Sequence, residues 1–176
     1  TTNDALWDWN MLTDEVYRNP RHDTMLGYEP GELPASQEEW DKRIHPDDRA
    51  RVLGILKRYY GGGPGSFEVE YRLRTKSGDY IWVLARGKVV TYSDDGAPVR
   101  MVGTNIDITQ RKKAEEEIRK FKTISDKAGH GVAMSDLEGN LTYANESFAQ
   151  MHGYEPDELI GKHLSILHSS GQIDRV

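Results

Sequence analysis

Residues 67–74 alternate strictly between apolar and charged side chains. Phe67, Val69, Tyr71 and Leu73 fall on one face of an extended chain, with glutamate and arginine on the other. This period of two is typical of a strand that packs one face against a core. Two longer segments, 80–92 and 99–108, follow polar turns and are rich in β-branched and aromatic residues. The pattern predicts a meander of three antiparallel strands.

The first 60 residues predict a hairpin and then several short helices. Aromatic and apolar residues flank Leu12-Thr13-Asp14, which predicts a short hairpin of two strands. The next stretch is divided by Pro20, Pro30, Pro34 and Pro46, and proline suits the first turn of a helix but disrupts its interior. The last helical piece, 46–60, has apolar residues at helical spacing that should face a core: Val52, Leu53, Leu56 and Tyr59 or Tyr60. A glycine-rich run at 61–65 precedes a strand, which favours a flexible connector over a phosphate-binding loop.

Together these elements predict an α+β fold: a five-stranded antiparallel sheet with short helices inserted after the second strand, followed by a linker helix. Thr109 is the expected N-cap of that helix. A narrow apolar stripe runs along it and consists of Ala114, Ile118, Phe121 and Ile124. Such a stripe suits a seam between the helices of two molecules. The alternative is that the helix packs against its own domain.

A partial second copy of the same domain follows the helix. The run Gly27-Tyr28-Glu29-Pro30-Gly31-Glu32-Leu33 returns, at an offset of 126 residues, as Gly153-Tyr154-Glu155-Pro156-Asp157-Glu158-Leu159. At the same offset Tyr17, Asn19 and Met25 recur as Tyr143, Asn145 and Met151. The repeat predicts a complete domain at 1–109, a linker helix at 110–126 and the N-terminal part of a second domain at 127–176. Because three strands are missing from the second copy, its apolar face cannot be covered by its own sheet. We expect it to be partly disordered alone, or to bury that face against a neighbouring chain.

Composition excludes several classes of function. The formal net charge is −6 and the two signs are interspersed, which argues against a nucleic-acid-binding surface. No cysteine is present, so disulfides, thiolate metal sites and thiol nucleophiles are excluded. The sequence holds no signal peptide, no apolar run long enough for a bilayer and no kinase, cyclase or P-loop motif. We expect a cytoplasmic segment with no catalysis and no direct membrane contact, whose parent protein could be anchored through other segments.

Several short runs in the first copy carry a family resemblance when they are taken together. They are Asn19 with Leu26-Gly27-Tyr28, the run from Trp40 to Arg49, the run from Tyr71 to Gly78, Trp82-Val83, and Gly96 through Thr109. These runs resemble the PAS domain family in its bacterial sensory-box form, and they span the first copy from end to end. The closing Asp107-Ile108-Thr109 is similar to the family motif that couples the last strand to a signalling helix.

The resemblance implies a sensory or regulatory module of a bacterial-type signal transduction protein, with a histidine kinase or diguanylate cyclase as the output domain of the parent chain. It also implies a homodimer in which the connecting helix carries a change in the sheet to that output. We assign Asp107 and Thr109 to the strand-to-helix junction, and Ala114, Ile118 and Phe121 to the dimer helix. The alternatives are a ligand-free interaction and dimerisation scaffold and, third, a sensor with non-covalent flavin or haem.

No cofactor is assigned, although an unidentified small ligand is allowed. The cysteine-linked chromophores of flavin photoreceptors and photoactive-yellow-type sensors are excluded, because the chain has no cysteine. Haem would need an axial ligand such as His45, but the run from His45 to Asp48 resembles an ordinary helix start. The other histidines lack metal-site spacing and are expected in structural or exposed positions: His22, His130, His152, His163 and His168.

A ligand pocket, if there is one, is expected on the face of the sheet that carries Tyr71. The candidate residues are Tyr71, Leu73, Trp82, Leu84, Met101 and Asn105. Both faces of the two later strands carry apolar residues, so the sequence alone leaves open which of their side chains point inward.

Overall fold

The chain divides into two compact units, residues 1–112 and 113–176. A computed structural model describes residues 4–60 and 66–167. Three sequence predictions concern parts outside this description: the connector at 61–65, the side chain of Tyr60, and His168. Within the described residues, no helix is both long and apolar enough to cross a membrane.

A five-stranded antiparallel sheet forms the first unit, which confirms the predicted α+β fold. The strands are β1 (Ala5–Asn10), β2 (Val16–Arg18), β3 (Phe67–Arg74), β4 (Tyr80–Tyr92) and β5 (Pro98–Asp107). Their spatial order is β2-β1-β5-β4-β3. The predicted meander therefore forms one side of the sheet, and the N-terminal hairpin extends it beside the last strand.

Three short helices connect β2 to β3, as the prolines predicted. They are α1 (Pro20–Met25), α2 (Gln37–Arg43) and α3 (Pro46–Tyr60). Proline occupies the first turn of α1, and the Ser36 hydroxyl caps α2 by accepting from the Glu39 amide at 3.2 Å. Val52 and Leu56 of α3 are buried among the core residues of β3, as their spacing predicted. The helices thus cover one face of the sheet.

An ion pair with several hydrogen bonds ties α3 to β3. The buried Asp48 carboxylate accepts from the Arg72 backbone amide at 3.0 Å, from Nε at 2.9 Å and from Nη2 at 3.1 Å. These hydrogen bonds hold the pKa of Asp48 below its usual value, against the opposing effect of burial. The Arg72 carbonyl also accepts from the His45 amide at 2.9 Å, so the start of α3 is fixed along the outer strand.

The linker helix, α4 (Thr109–Asp126), begins differently from the prediction. Thr109 is its first helical residue and not its N-cap, because the first helical hydrogen bond runs from the Lys112 amide to the Ile108 carbonyl at 2.9 Å. The Thr109 hydroxyl accepts instead from the Trp82 backbone amide at 3.0 Å. The Asp107 carboxylate accepts from the Thr109 amide at 2.8 Å and supplies the cap. The N-cap assignment of Thr109 is therefore wrong.

The second unit repeats the start of the first at the level of single hydrogen bonds. Its elements after α4 are β6 (Ala133–Ser135), β7 (Leu141–Ala144), α5 (Glu146–His152), α6 (Pro156–Leu159) and a 3₁₀ turn (Leu164–Leu167). The Asn19 side chain accepts from the Leu6 amide at 2.9 Å, and Asn145 accepts from the Val132 amide at 2.8 Å. Both pairs are related by the same offset of 126 residues. The sequence repeat is thus a structural repeat.

We expect Asp48→Asn to lower the free energy of unfolding by about 1.5–3 kcal/mol at neutral pH, because a charge-assisted contact to Arg72 is lost in a buried position. Asp47→Asn is the matched control: its side chain is 74% exposed and lies 3.5 Å from Arg72 Nη2. Exposed ion pairs contribute little, so this change should cost less than about 1 kcal/mol. Urea unfolding of the three proteins measures both effects.

The Asp48 effect should depend on pH in a defined direction. A carboxyl group whose pKa is depressed by folding stabilises the native state above its unfolded pKa of about 4, and that contribution disappears as the pH falls through the folded pKa. The difference between wild type and Asp48→Asn should therefore be full at pH 7 and shrink below about pH 4. A difference that grew on acidification would contradict the assigned role.

Candidate ligand cavity and strand-to-helix junction

A cavity of about 60 Å³ lies between the sheet and the helices of the first unit. Every strand of the sheet and all three helices contribute to its wall. The aromatic lining residues are Trp7, Trp9, Trp40, Phe67 and Tyr71, and the aliphatic ones include Val52, Leu56, Val69 and Met101. Arg18, His22 and Asn105 add polar groups. The cavity is therefore mostly apolar with a few polar groups, which is the usual make-up of a small-molecule site.

Two glycines form part of the sheet beneath one aromatic ring. Gly103 pairs with Trp7 on one side and with Gly87 on the other, and Gly87 pairs with Phe67. A methyl group at Gly103 would collide with the Arg86 carbonyl and the Trp7 indole, and one at Gly87 would lie 2.6 Å from the Phe67 ring. The missing side chains let the indole lie against the backbone of the sheet, where it forms a wall of the cavity.

A hydrogen bond inside the wall fixes Tyr71. Its hydroxyl accepts from Trp40 Nε1 at 2.8 Å, and the two rings meet edge to face with centroids 6.0 Å apart. Burial raises the pKa of Tyr71 well above its usual value, so the phenol is neutral. Among the described residues the hydroxyl hydrogen has no acceptor, which leaves it available to a molecule in the cavity.

A polar cluster closes one part of the wall. The Asn105 amide nitrogen lies 3.4 Å from His22 Nε2, and Asp23 Oδ1 lies 3.9 Å from His22 Nδ1 and 3.6 Å from Arg18 Nη2. Burial, reinforced by the positive charge of Arg18, lowers the pKa of His22 to about 4, so its ring is neutral at pH 7. Burial also lowers the pKa of Arg18.

The six predicted pocket residues separate into two groups. Tyr71, Met101 and Asn105 line the cavity. Leu73 lies on the same face and is 1% exposed, but it contacts Ile44 beyond the cavity. Trp82 and Leu84 are not among the cavity residues, because the register of β4 with β3 places them opposite Arg72 and Glu70 on the other face.

The strand-to-helix junction brings Trp82 and Thr109 together. The Trp82 backbone amide donates to the Thr109 hydroxyl at 3.0 Å, and its carbonyl accepts from the Ile108 amide at 2.9 Å. Together with the Asp107 cap, these bonds fix the last residues of β5 and the first turn of α4 to β4. Both side chains assigned to this junction take part in its hydrogen bonds.

Glu70 of β3 provides a second anchor for the same helical turn. Its carboxylate accepts from Arg111 Nη2 and pairs with Lys112 Nζ, both at 2.6 Å. These two contacts, that of Lys112 first, hold the pKa of Glu70 below its usual value. The Lys112 ammonium also lies 5.4 Å from the centroid of the Trp82 ring, within the range of a cation–π contact. The first turn of α4 therefore rests on the outer face of the sheet.

The predicted dimer residues are exposed on α4. Ile118 and Ile124 are 68% and 70% exposed, and Phe121 is 47% exposed with its ring centroid 5.5 Å from that of Tyr143. Ala114 is also exposed. The apolar stripe is therefore accessible along most of its length, with one aromatic contact inside the second unit.

Sequence reasoning missed Arg18, His22 and Glu70. His22 was expected in a structural or exposed position; it is buried in the cavity wall with 4% exposure, which excludes the exposed position. No local signal marks it, since its contact with Asn105 joins residues 83 positions apart. For Glu70, the strict alternation of β3 did predict an outward direction, but not the cations it meets. His45, considered as a haem ligand, packs against Tyr80 and is not among the cavity residues.

Comparison with known proteins agrees with this architecture. A family model described as PAS fold matches residues 15–105, and one described as PAS domain matches residues 129–175. The chain belongs to the PAS domain family. Its relatives include a sensor protein, a histidine kinase and a probable diguanylate cyclase, which supports a sensory module of signal transduction.

Individual relatives cover the chain well but are much longer. The sensor protein FixL of Bradyrhizobium diazoefficiens is 27% identical over an alignment of 165 residues that covers 92% of this chain and 32% of that protein. A probable diguanylate cyclase of Escherichia coli, DgcE, is 23% identical and is covered over 14% of its length. The chain thus spans a third or less of these curated relatives.

Two solved structures are similar to a large part of the chain. A sensory box histidine kinase/response regulator from Burkholderia thailandensis is 41% identical with a TM-score of 0.61, over 69% of this chain and 88% of that one. The N-terminal domain of a diguanylate cyclase with PAS/PAC sensor from Marinobacter aquaeolei is 27% identical with a TM-score of 0.55, over 62% and 98% of the two chains.

We expect Gly103→Ala to lower the free energy of unfolding by about 3 kcal/mol, because the added methyl group meets a backbone carbonyl that cannot move aside. The tryptophan fluorescence of the folded state should also change as Trp7 is displaced. Urea unfolding followed by fluorescence measures both quantities.

Gly54→Ala is the matched control for this substitution. Gly54 lies within α3, and nothing is within 4 Å of an added methyl group there. Alanine should stabilise this exposed helical position by about 0.5–1 kcal/mol. If Gly103→Ala were as well tolerated as Gly54→Ala, the close packing of Trp7 on the sheet would be contradicted.

Proposed function

We propose that the first unit is a ligand-responsive sensor whose signal leaves through α4. One observation carries the proposal: the cavity wall and the anchors of α4 are formed by neighbouring residues of the same strands. On β3, Tyr71 faces the cavity while the adjacent Glu70 holds Arg111 and Lys112. On β5, Asn105 faces the cavity two residues before the capping Asp107.

This arrangement gives a physical route from ligand to helix. A strand is stiff along its backbone, so a ligand that displaces Tyr71 or Asn105 also displaces the neighbouring residues of the same strand. The anchors they carry are exposed ion pairs and single hydrogen bonds, each worth about 1 kcal/mol or less in net stability. A ligand with a few kcal/mol of differential affinity would therefore suffice to shift the first turn of α4 between two positions.

The volume of the cavity favours a compact ligand over the cofactor alternative. Sites for drug-sized molecules and cofactors usually occupy about 300–1,000 Å³. A space of about 60 Å³ holds roughly four to six water-sized groups, far fewer atoms than a flavin or a haem contains. The existence of the cavity also favours a ligand sensor over a scaffold with a filled core.

We expect Glu70→Gln to increase amide hydrogen exchange in residues 109–112 by about two- to fivefold, since Arg111 and Lys112 lose their ion pairs with the Glu70 carboxylate. Global stability should change by less than about 1 kcal/mol. Hydrogen exchange followed by mass spectrometry resolves the segment.

Glu68→Gln is the control on the same face of the same strand. Glu68 pairs with Arg86 of β4 at 2.6 Å and not with α4. It should leave exchange in residues 109–112 unchanged. Equal effects of the two substitutions would remove the specific link between β3 and the helix.

We further propose that the parent protein is a sensor histidine kinase or a diguanylate cyclase that acts as a homodimer through α4. The relatives include both kinds of protein, and the apolar stripe on α4 is exposed. Charged residues flank this stripe, which suits a seam between two identical helices. A displaced first turn would then change the geometry of the pair and of the output domains that follow.

We expect Ile118→Glu to raise the dimer dissociation constant at least tenfold, because a charge would enter the seam between the helices. Phe121→Glu should act in the same way. Thr123→Glu is the control, since it adds the same charge half a helical turn away from the stripe. Sedimentation velocity over a concentration series measures the constant, and a wild-type chain that stays monomeric at millimolar concentration would refute the dimer.

A further inference from the structure

Three polar atoms in the cavity wall are buried without any hydrogen-bond partner. They are Arg18 Nε, His22 Nδ1 and Asn105 Oδ1. His22 and Asn105 are 4% and 2% exposed, and the side chain of Arg18 is 9% exposed. Folded proteins pair nearly all such groups, because leaving one unpaired costs about 1–3 kcal/mol. A cluster of three around one cavity therefore points to a partner that enters the cavity.

The second unit shows that the fold does not need these polar residues. At the offset of 126 residues, the positions of Arg18, His22 and Asp23 are occupied by Ala144, Phe148 and Ala149. The backbone there keeps the same hydrogen bonds: the Tyr28 amide donates to the Asp23 carbonyl, and the Tyr154 amide donates to the Ala149 carbonyl, both at 3.0 Å. Because apolar residues satisfy the same local structure, the polar set is specific to the first unit.

The free polar groups are mainly hydrogen-bond donors. When His22 Nε2 accepts from the Asn105 amide nitrogen 3.4 Å away, the neutral ring carries its hydrogen on Nδ1. Arg18 Nε and the Tyr71 hydroxyl are donors as well. The polar cluster has two unpaired acceptors, Asn105 Oδ1 and Asp23 Oδ1, and of these two residues only Asn105 lines the cavity. These donors fit a ligand with a hydrogen-bond acceptor at one end. The rest of the ligand would be apolar, or would carry one hydroxyl group that donates to Asn105 Oδ1.

The charges near the site leave room for an anion. Asp23 is the nearest carboxylate, and its Oδ2 already accepts from the Gly31 amide at 2.7 Å. Its Oδ1 is buried without a hydrogen-bond partner and lies 3.6 Å from Arg18 Nη2, while Nη2 also donates to the Leu33 carbonyl at 2.7 Å. Arg18 Nε remains without a partner, so the guanidinium can still meet a second carboxylate through that edge.

We infer that the cavity binds a compact monocarboxylate with a short aliphatic chain. The carboxylate would accept from Arg18, His22 and Tyr71, and the chain would contact apolar residues such as Val52, Val69 and Met101. The volume limits the ligand to roughly four to six heavy atoms, the size of acetate, propionate or lactate. This inference rests on the proposed sensory function and specifies its ligand class.

The test compares three probes of similar size on the wild-type protein: propionate, neutral propionamide and cationic propylammonium. The readout is the Met101 methyl resonance in a ¹H–¹³C spectrum, because this side chain is fully buried and lines the cavity. We expect saturable shifts with propionate at millimolar concentration, as the few atoms of the probe limit its affinity. Propionamide should bind at least tenfold more weakly and propylammonium should not bind.

Two variants connect the binding to the polar cluster. Arg18→Met should raise the propionate dissociation constant by roughly tenfold to a hundredfold, as expected for loss of a charge-assisted contact. Arg100→Met is its control, since Arg100 pairs with Asp8 and is not among the cavity residues. The triple variant Arg18→Ala, His22→Phe, Asp23→Ala carries the residues of the second unit, so it should fold and lose the response.

The outcomes separate this inference from the proposed function. A response to propionamide or propylammonium that equals the response to propionate overturns the carboxylate, and so does no Met101 shift with propionate at about 50 mM. Unchanged affinity in the folded triple variant overturns it as well. Propionate binding without altered hydrogen exchange in residues 109–112 would support the ligand class while contradicting the relay to α4.

Discussion

Glu70, Tyr71 and Arg72 leave consecutive positions of β3 toward opposite faces of the sheet. Tyr71 enters the cavity wall, whereas its two neighbours hold the first turn of α4 and the start of α3. A strand has no freedom to separate these positions, because alternation is fixed by its backbone geometry. One face of the sheet therefore lines the cavity, and the opposite face carries the ion pairs of Glu70 and Arg72 with the helices. The proposed sensing and its transmission both depend on this constraint.

The internal repeat allows structural and functional residues to be separated within one molecule. Asn19 and Asn145 make the same bonds to the chain 13 residues before each of them, so this asparagine belongs to the architecture of both units. Arg18 and His22 have apolar counterparts in the second unit and so belong to the first unit alone. A comparison of this kind needs no homologous sequences, since the second copy serves as the reference.

Much of the fold could be predicted from the sequence, because its signals are local. The alternation of β3, the turns between the long strands and the prolines before the helices each act over a few residues. The inward faces of β4 and β5 could not be predicted, since Trp82 and Leu84 are as apolar as Val83 and Ala85. Only the pairing with β3 decides between them. The contact of His22 with Asn105 could not be predicted either, because it forms only when α1 packs against the assembled sheet and no sequence spacing marks it.

The indole of Trp7 sets the size of the space beside it. It lies over Gly87 and Gly103, where the sheet itself presents no side chain. Shortening this one residue would widen the chamber while leaving the backbone pairing of β1, β4 and β5 intact. We therefore expect that a single substitution of Trp7 on β1 would let this module accommodate larger ligands. Gly87 and Gly103 would then line the enlarged cavity.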